Sequence, residues 1–171
     1  SKIAIGTAQF GMPYGVSNKT GEIDQDEINA ILSLAKKNQI KTIDTARSYG
    51  SSEKKIGRYL INCKKKDWTI ITKISHLNNS IVDQIKSSKK NLNLRPSIIL
   101  AHSKKIYLDE KFQQFIISME KQEYKYKIGV SLYGEEDINE VMKNGIRPDI
   151  IQLPLNILDT RLYRKGVLSA L

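Results

Sequence analysis

Asp44, Tyr49, Lys73 and His102 are four side chains whose types, taken together, suit delivery of a proton to an oxygen on which negative charge develops. A phenol with an ordinary pKa of about 10 gives up its proton slowly near neutrality. An ammonium close by stabilises the phenolate and makes the phenol a better acid. A carboxylate beside the ammonium keeps it charged, and an imidazole can hydrogen-bond and orient the accepting oxygen. On that chemistry Tyr49 is the candidate acid, Lys73 the charge behind it, Asp44 the anchor of Lys73 and His102 the orienting group. Singly, each has a plainer reading: Asp44 as a loop cap, Tyr49 as a loop aromatic, Lys73 as a snorkelling strand-end lysine, His102 as a satisfied core histidine. The choice depends on whether the chain brings the four together.

The surrounding chain alternates short β-rich apolar runs with amphipathic helical stretches. Strands are expected over residues 2–7, 41–46, 69–74, 97–102, 127–132 and 149–153. A helix near 27–37 carries Ile28, Ile31, Leu32 and Ala35 at i, i+3, i+4, i+7, and Asp24 with Glu27 makes a capping-box-like start. Further helices present Ile56, Tyr59 and Leu60; Ile81, Ile85 and Leu92; Phe112, Phe115, Ile116 and Met119; and Ile138, Val141 and Met142, before a last stretch to Leu171. Six β-α units in a row imply a parallel sheet with right-handed crossovers, whose strands are apolar on both faces, as Ile98 to Ala101 is. A doubly wound dinucleotide-binding sheet would place a G-x-G-x-x-G turn after the first strand. The segment Gly6-Thr7-Ala8-Gln9-Phe10-Gly11 lacks that spacing, which favours an α/β fold of the (β/α)8 TIM-barrel type. Barrel enzymes build their sites at the C-terminal ends of the strands, and the four candidates stand there on successive units.

Residues 1–171 are read as a single domain, with 40% hydrophobic and 27% charged residues, which excludes a disordered chain. No apolar run is long enough to span a bilayer and no signal segment opens the chain, so a cytoplasmic protein with no membrane partner is expected. Cys63 is the lone cysteine, excluding an intrachain disulfide and a thiolate metal cluster, and reads as a partly buried helix residue. The net charge of +10 raises the alternative of a nucleic-acid binder. Its lysines, however, fall in scattered groups at Lys36-Lys37, Lys54-Lys55, Lys64 to Lys66, Lys89-Lys90 and Lys104-Lys105, mostly toward helix C-termini, and read as solvated helix faces, so no nucleic-acid partner is expected. His76 reads as a loop residue, while Phe10, Met12 and Tyr14 after the first strand are candidates either to wall a substrate pocket or to pack a loop.

The run from Ile43 to Gly57, Ile-Asp-Thr-Ala-Arg-Ser-Tyr-Gly-Ser-Ser-Glu-Lys-Lys-Ile-Gly, resembles the signature of the aldo-keto reductases. Ile71-Thr72-Lys73 is similar to that family's strand-three lysine motif and Leu100-Ala101-His102 to its strand-four histidine motif. The resemblance extends from Ile5-Gly6-Thr7 through Gly129-Val130-Ser131 to Ile151-Gln152-Leu153-Pro154. It implies a catalytic tetrad of Asp44, Tyr49, Lys73 and His102 and reduction of an aldehyde or ketone, sugar-type carbonyls among them, by NADPH or NADH. It also implies that Gly6, Thr7 and Asp44 line the cofactor floor, and that Ser131 and Gln152 hydrogen-bond the nicotinamide carboxamide. Where many members carry Asn after that Ser, this chain has Leu132.

The family's barrel has eight units and six are found here, so the expected fold is a barrel cut short after its sixth β/α unit. Open strand edges would favour self-association, and a catalytically inactive fragment or assembly module that retains the tetrad is the alternative function.

Overall fold

The computed structural model describes residues 2–62, 67–120, 122, 126–164 and 166. Cys63, the lysine run Lys64 to Lys66 and the end of the last helical stretch lie outside the described residues. The chain forms two compact units, Ser1–Ile99 and Leu100–Leu171.

The first unit begins with β1 (Ala4–Gly6), a short helix α1 (Ala8–Gly11) and α2 (Gln25–Lys37). It continues through β2 (Thr42–Asp44), α3 (Ser52–Ile61), β3 (Thr69–Ile74) and α4 (Ile81–Leu92) into the start of β4 (Ile98–Ala101). β1, β2 and β3 are consecutive parallel neighbours, with Gly6 opposite Asp44 and Asp44 opposite Ile71. Helices separate the strands because parallel neighbours need a crossover. The Asp24 carboxylate caps α2 by accepting from the Glu27 backbone N–H at 2.8 Å, as its spacing suggests. Ile28, Leu32 and Ala35 of α2, Ile56 and Leu60 of α3, and Ile43 and Ile70 of the strands are buried in one core with Phe10, Trp68 and Leu92.

Three sequence expectations change here. Strands β1 and β2 are shorter than the apolar runs, because Thr7 and Thr45 make one last bond each, to the carbonyls of Asp44 and Ile71, before the chain turns away. α1 is too short to show a helical period, and it puts Phe10 in the core at 2% exposure rather than in a pocket wall, while Tyr14 is exposed. Lys55 is not a solvated helix-face lysine: its ammonium sits 2.6 Å from Glu22 and donates to the Ile23 carbonyl.

The second unit carries the end of β4, then α5 (Lys104–Tyr107), α6 (Glu110–Glu120), β5 (Lys127–Ser131), α7 (Glu135–Asn144), β6 (Ile150–Gln152) and α8 (Arg161–Arg164). β5 and β6 are parallel, with Ser131 opposite Gln152. Tyr107, Phe112 and Phe115 form an aromatic chain with ring centroids 5.6 and 5.8 Å apart, and the Tyr107 hydroxyl donates to the Ile146 carbonyl at 2.8 Å. Lys104 opens α5 rather than closing a helix, and it bridges to Asp137 and Glu140 of α7 at 2.9 and 2.8 Å. Met142 lies exposed on α7, so only Ile138 and Val141 of its expected apolar face are buried.

In the first unit, α3 and α4 meet at Gly57, where a Cβ would fall inside contact distance of the Asn91 carbonyl. A backbone obstacle cannot rotate aside as a side chain can. Gly57→Ala should therefore destabilise the chain by about 1–3 kcal/mol, as overpacked sites do. Urea unfolding is the measurement, and an unchanged midpoint would show that the helices separate at no cost.

Candidate functional site

Side chains alternate across a strand, so β3 divides its residues between two faces. Ile70, Thr72 and Ile74 are all buried, with Ile70 in the helix-side core, whereas Ile71 and Lys73 face the other way. Asp44 is opposite Ile71 in register, which places its carboxylate one step from the Lys73 side chain. The Lys73 ammonium lies 2.6 Å from Asp44 Oδ1, donates to the Thr45 carbonyl at 3.0 Å, and reaches the Tyr49 hydroxyl at 3.4 Å. It also stands 5.1 Å from the Tyr49 ring centroid, within cation–π range. Three of the four sequence candidates thus meet around one ammonium. His102, the fourth, is half-buried and immediately follows β4, in the second unit.

Lys73 is 1% exposed. Burial pushes its pKa below the ordinary lysine value of 10.5, while the Asp44 charge and its hydrogen bond pull the other way. The result is an ammonium that is paired yet holds its proton less firmly than a free lysine does.

Tyr49 sits on the turn between β2 and α3, and three sets of contacts fix that turn. Gly50 has a φ of +52°, and its backbone packs against Gly11 so closely that a Cβ on either glycine would collide with the other segment. The buried Ser52 hydroxyl lies 3.0 Å from both the Thr7 carbonyl and the Thr7 hydroxyl, and 3.1 Å from the Thr45 hydroxyl. Arg47 donates through one guanidinium nitrogen to the Gln84 carbonyl at 3.0 Å and the Ser88 hydroxyl at 3.3 Å, and lies 3.9 Å from Glu53. None of these supporting roles is evident in the sequence. Ser52 and Glu53 stand within the Ile43 to Gly57 run, and their burial, at 0% and 5% exposure, marks them out as part of this frame.

The remaining sequence candidates are cofactor residues. Gly6 ends β1, with open space where a Cβ would lie. Thr7 is fully buried, and its hydroxyl donates to the Asp44 carbonyl at 2.9 Å, so its side chain braces β2. In the second unit Ser131 and Gln152 are register partners and both half-buried, while Leu132 is an interior residue at 1% exposure. Among the described residues no cluster of His, Cys, Asp and Glu could hold a metal ion, and no helix is long and apolar enough to cross a membrane.

The model of the aldo/keto reductase family matches residues 2–170. A Pseudomonas aeruginosa protein assigned to the aldo-keto reductases superposes with a TM-score of 0.76 at 22% identity, over 98% of this chain and 68% of its own. A thermostable aldo-keto reductase in complex with the inhibitor epalrestat gives 0.75 at 24%, over 98% and 62%. One from Bacillus halodurans in its apo form gives 0.66 at 20%, over 86% and 52%. The chain therefore spans about half to two thirds of the length of these structures. The likeness shows an α/β fold of the (β/α)8 barrel type, of which the described residues form six strand-and-helix units. A search of the curated proteins gives no match.

The lowered affinity of Lys73 for its proton has a measurable consequence. Between its folded pKa and 10.5 the unfolded chain binds the proton that the folded chain has released, so stability from this group rises with pH through that window. Lys73→Met removes the effect, so the parent should gain stability over the variant as pH approaches 10.5. Urea unfolding of both proteins at stepped alkaline pH tests this, and a difference that is flat or shrinks refutes it.

Proposed function

Because the chain belongs to the aldo/keto reductase family, we propose that it serves as an NAD(P)H-dependent oxidoreductase converting an aldehyde or ketone to an alcohol, with Tyr49 as proton donor. The observation that carries this reading is the Lys73 ammonium held between the Asp44 carboxylate and the Tyr49 hydroxyl. The nicotinamide would supply hydride to the carbonyl carbon when bound. Charge then gathers on the carbonyl oxygen, and Tyr49 delivers its proton there.

Loss of that proton leaves a phenolate, and the Lys73 ammonium 3.4 Å away offsets its charge. The ammonium cannot follow the departing proton, because Asp44 and the Thr45 carbonyl hold it from behind. His102 is assigned to orienting the substrate oxygen by a hydrogen bond.

The residues present suit a nicotinamide nucleotide. Register partners in a parallel ladder present their side chains on one face, so the Ser131 hydroxyl and the Gln152 amide offer the donors and acceptors that a carboxamide needs. Leu132, buried beside them, has an apolar side chain and adds no polar side-chain contact. Gly6 leaves room for a flat ring at the end of β1, and Asp44, with Thr7 braced behind it, borders the same strand end. The substrate is a small carbonyl compound, sugar-type carbonyls included.

Tyr49→Phe keeps the ring against Lys73 and removes only the proton. In the full product of the gene, assayed for NADPH oxidation with glyceraldehyde and benzaldehyde as probes, turnover should fall by at least about 10²-fold with NADPH affinity nearly unchanged. Retained turnover would remove Tyr49 from the acid role.

A further inference from the structure

We propose that Glu53 is a positioning residue for the Tyr49–Lys73 pair, acting through Thr72 and Arg47 without touching either reacting group. The inference rests on the reading of Tyr49 as acid and Lys73 as the charge behind it.

An acidic residue in the first turn of a helix is ordinarily solvated and merely offsets the helix dipole. Glu53 occupies that place in α3, yet it is 5% exposed. A carboxylate buried to that degree is costly unless donors surround it, and here they do. The Thr72 hydroxyl donates to Oε1 at 2.8 Å, the Asn91 amide donates to Oε2 at 3.2 Å, and the Arg47 guanidinium lies 3.9 Å from Oε2.

What these donors connect gives Glu53 its role. Thr72 is the residue before Lys73 and projects from the opposite face of β3, so a bond to its hydroxyl fixes the strand from the helix side just where Lys73 leaves it. Arg47 completes the tie: its backbone N–H donates to the Lys73 carbonyl at 3.4 Å, while its guanidinium grips α4. The segment from Thr45 to Glu53, with Tyr49 in its middle, is therefore bonded to Thr72 and Lys73 at both ends. Of the contacts described for the Lys73 ammonium, the one to the Tyr49 hydroxyl is the longest, at 3.4 Å. A further drift of a few tenths of an ångström would end it as a hydrogen bond. Other charges near the turn are Asp44, paired with Lys73, and Glu22 and Lys55, paired with each other beside Ser51.

The test exploits two effects of opposite sign. Removing the negative charge of Glu53 by itself makes the Tyr49 phenolate easier to form. Loosening Lys73 makes it harder. Phenolate absorbance is titrated in the parent and in Tyr49→Phe, and the difference isolates Tyr49. The same pair of titrations is then made in Glu53→Gln and Thr72→Val backgrounds, with folding of each variant checked by thermal melting. The proposal expects the Tyr49 midpoint to rise in both backgrounds by about one pH unit, a tenfold change in its ionisation constant. It also expects kcat for glyceraldehyde to fall severalfold while KM stays put. An unmoved or lowered midpoint in a folded variant overturns it. If Glu53→Gln fails to fold, Thr72→Val, which removes one hydroxyl and no charge, decides alone. The titration needs neither cofactor nor substrate, so a chain that reduced no carbonyl would sink the reductase reading while still reporting whether Glu53 sets the Tyr49–Lys73 contact.

Discussion

An ammonium taken out of water must have its hydrogens accepted, and Lys73 meets that demand with a carboxylate, a backbone carbonyl and a phenol. Much of the first unit's polar interior follows from this requirement. Asp44 is placed by the ladder between β2 and β3, and the Thr45 carbonyl is available because β2 has stopped pairing there. Tyr49 must be brought back toward the strand by a turn tight enough to need glycine at Gly50 and close enough to α1 to need it at Gly11. A side chain at either place would lift the turn, and the phenol with it.

The alternation of β3 separates two tasks that would otherwise compete. One face carries Lys73 and its chemistry, and the other carries Thr72 with the apolar residues that anchor the strand to its helices. Each face has its own ion pair with one buried and one half-buried partner: Lys73 with Asp44, and Glu53 with Arg47. Neither is a surface bridge of the kind that contributes little. Both pairs are tied into backbone or side-chain hydrogen bonds, so breaking either would leave an uncompensated buried charge and also release the turn that holds Tyr49.

Much of this was legible in the sequence because it depends on period and order. The 3.6-residue spacing of Ile28, Leu32 and Ala35, the apolar run of β4 and the place of Asp44 and Lys73 at strand ends are consequences of local pattern, and the structure places them accordingly. What the sequence concealed depends on contacts distant in the chain. Ser52 and Thr7 are 45 positions apart and Arg47 and Ser88 are 41 apart, and nothing local in either pair signals the other. Lys55 and Lys104 looked like solvated helix charges for the same reason, since their acidic partners lie on other segments.

The charges of the α3 N-terminus show why burial and not residue type decides what a side chain does. Glu53 and Lys54 are neighbours, and each is compatible with an exposed helix surface on propensity alone. A helix turns about 100° per residue, so one neighbour faces solvent while the other faces the sheet. Lys54 is exposed and Glu53 is buried, and the difference comes from Ile56, Gly57 and Leu60, which commit that face of α3 to the core. Once the apolar residues have set the rotation of the helix, the Glu53 carboxylate has no route to water. It must be answered by Thr72, Asn91 and Arg47, and the polar frame around Tyr49 is therefore a consequence of how the apolar face of α3 packs.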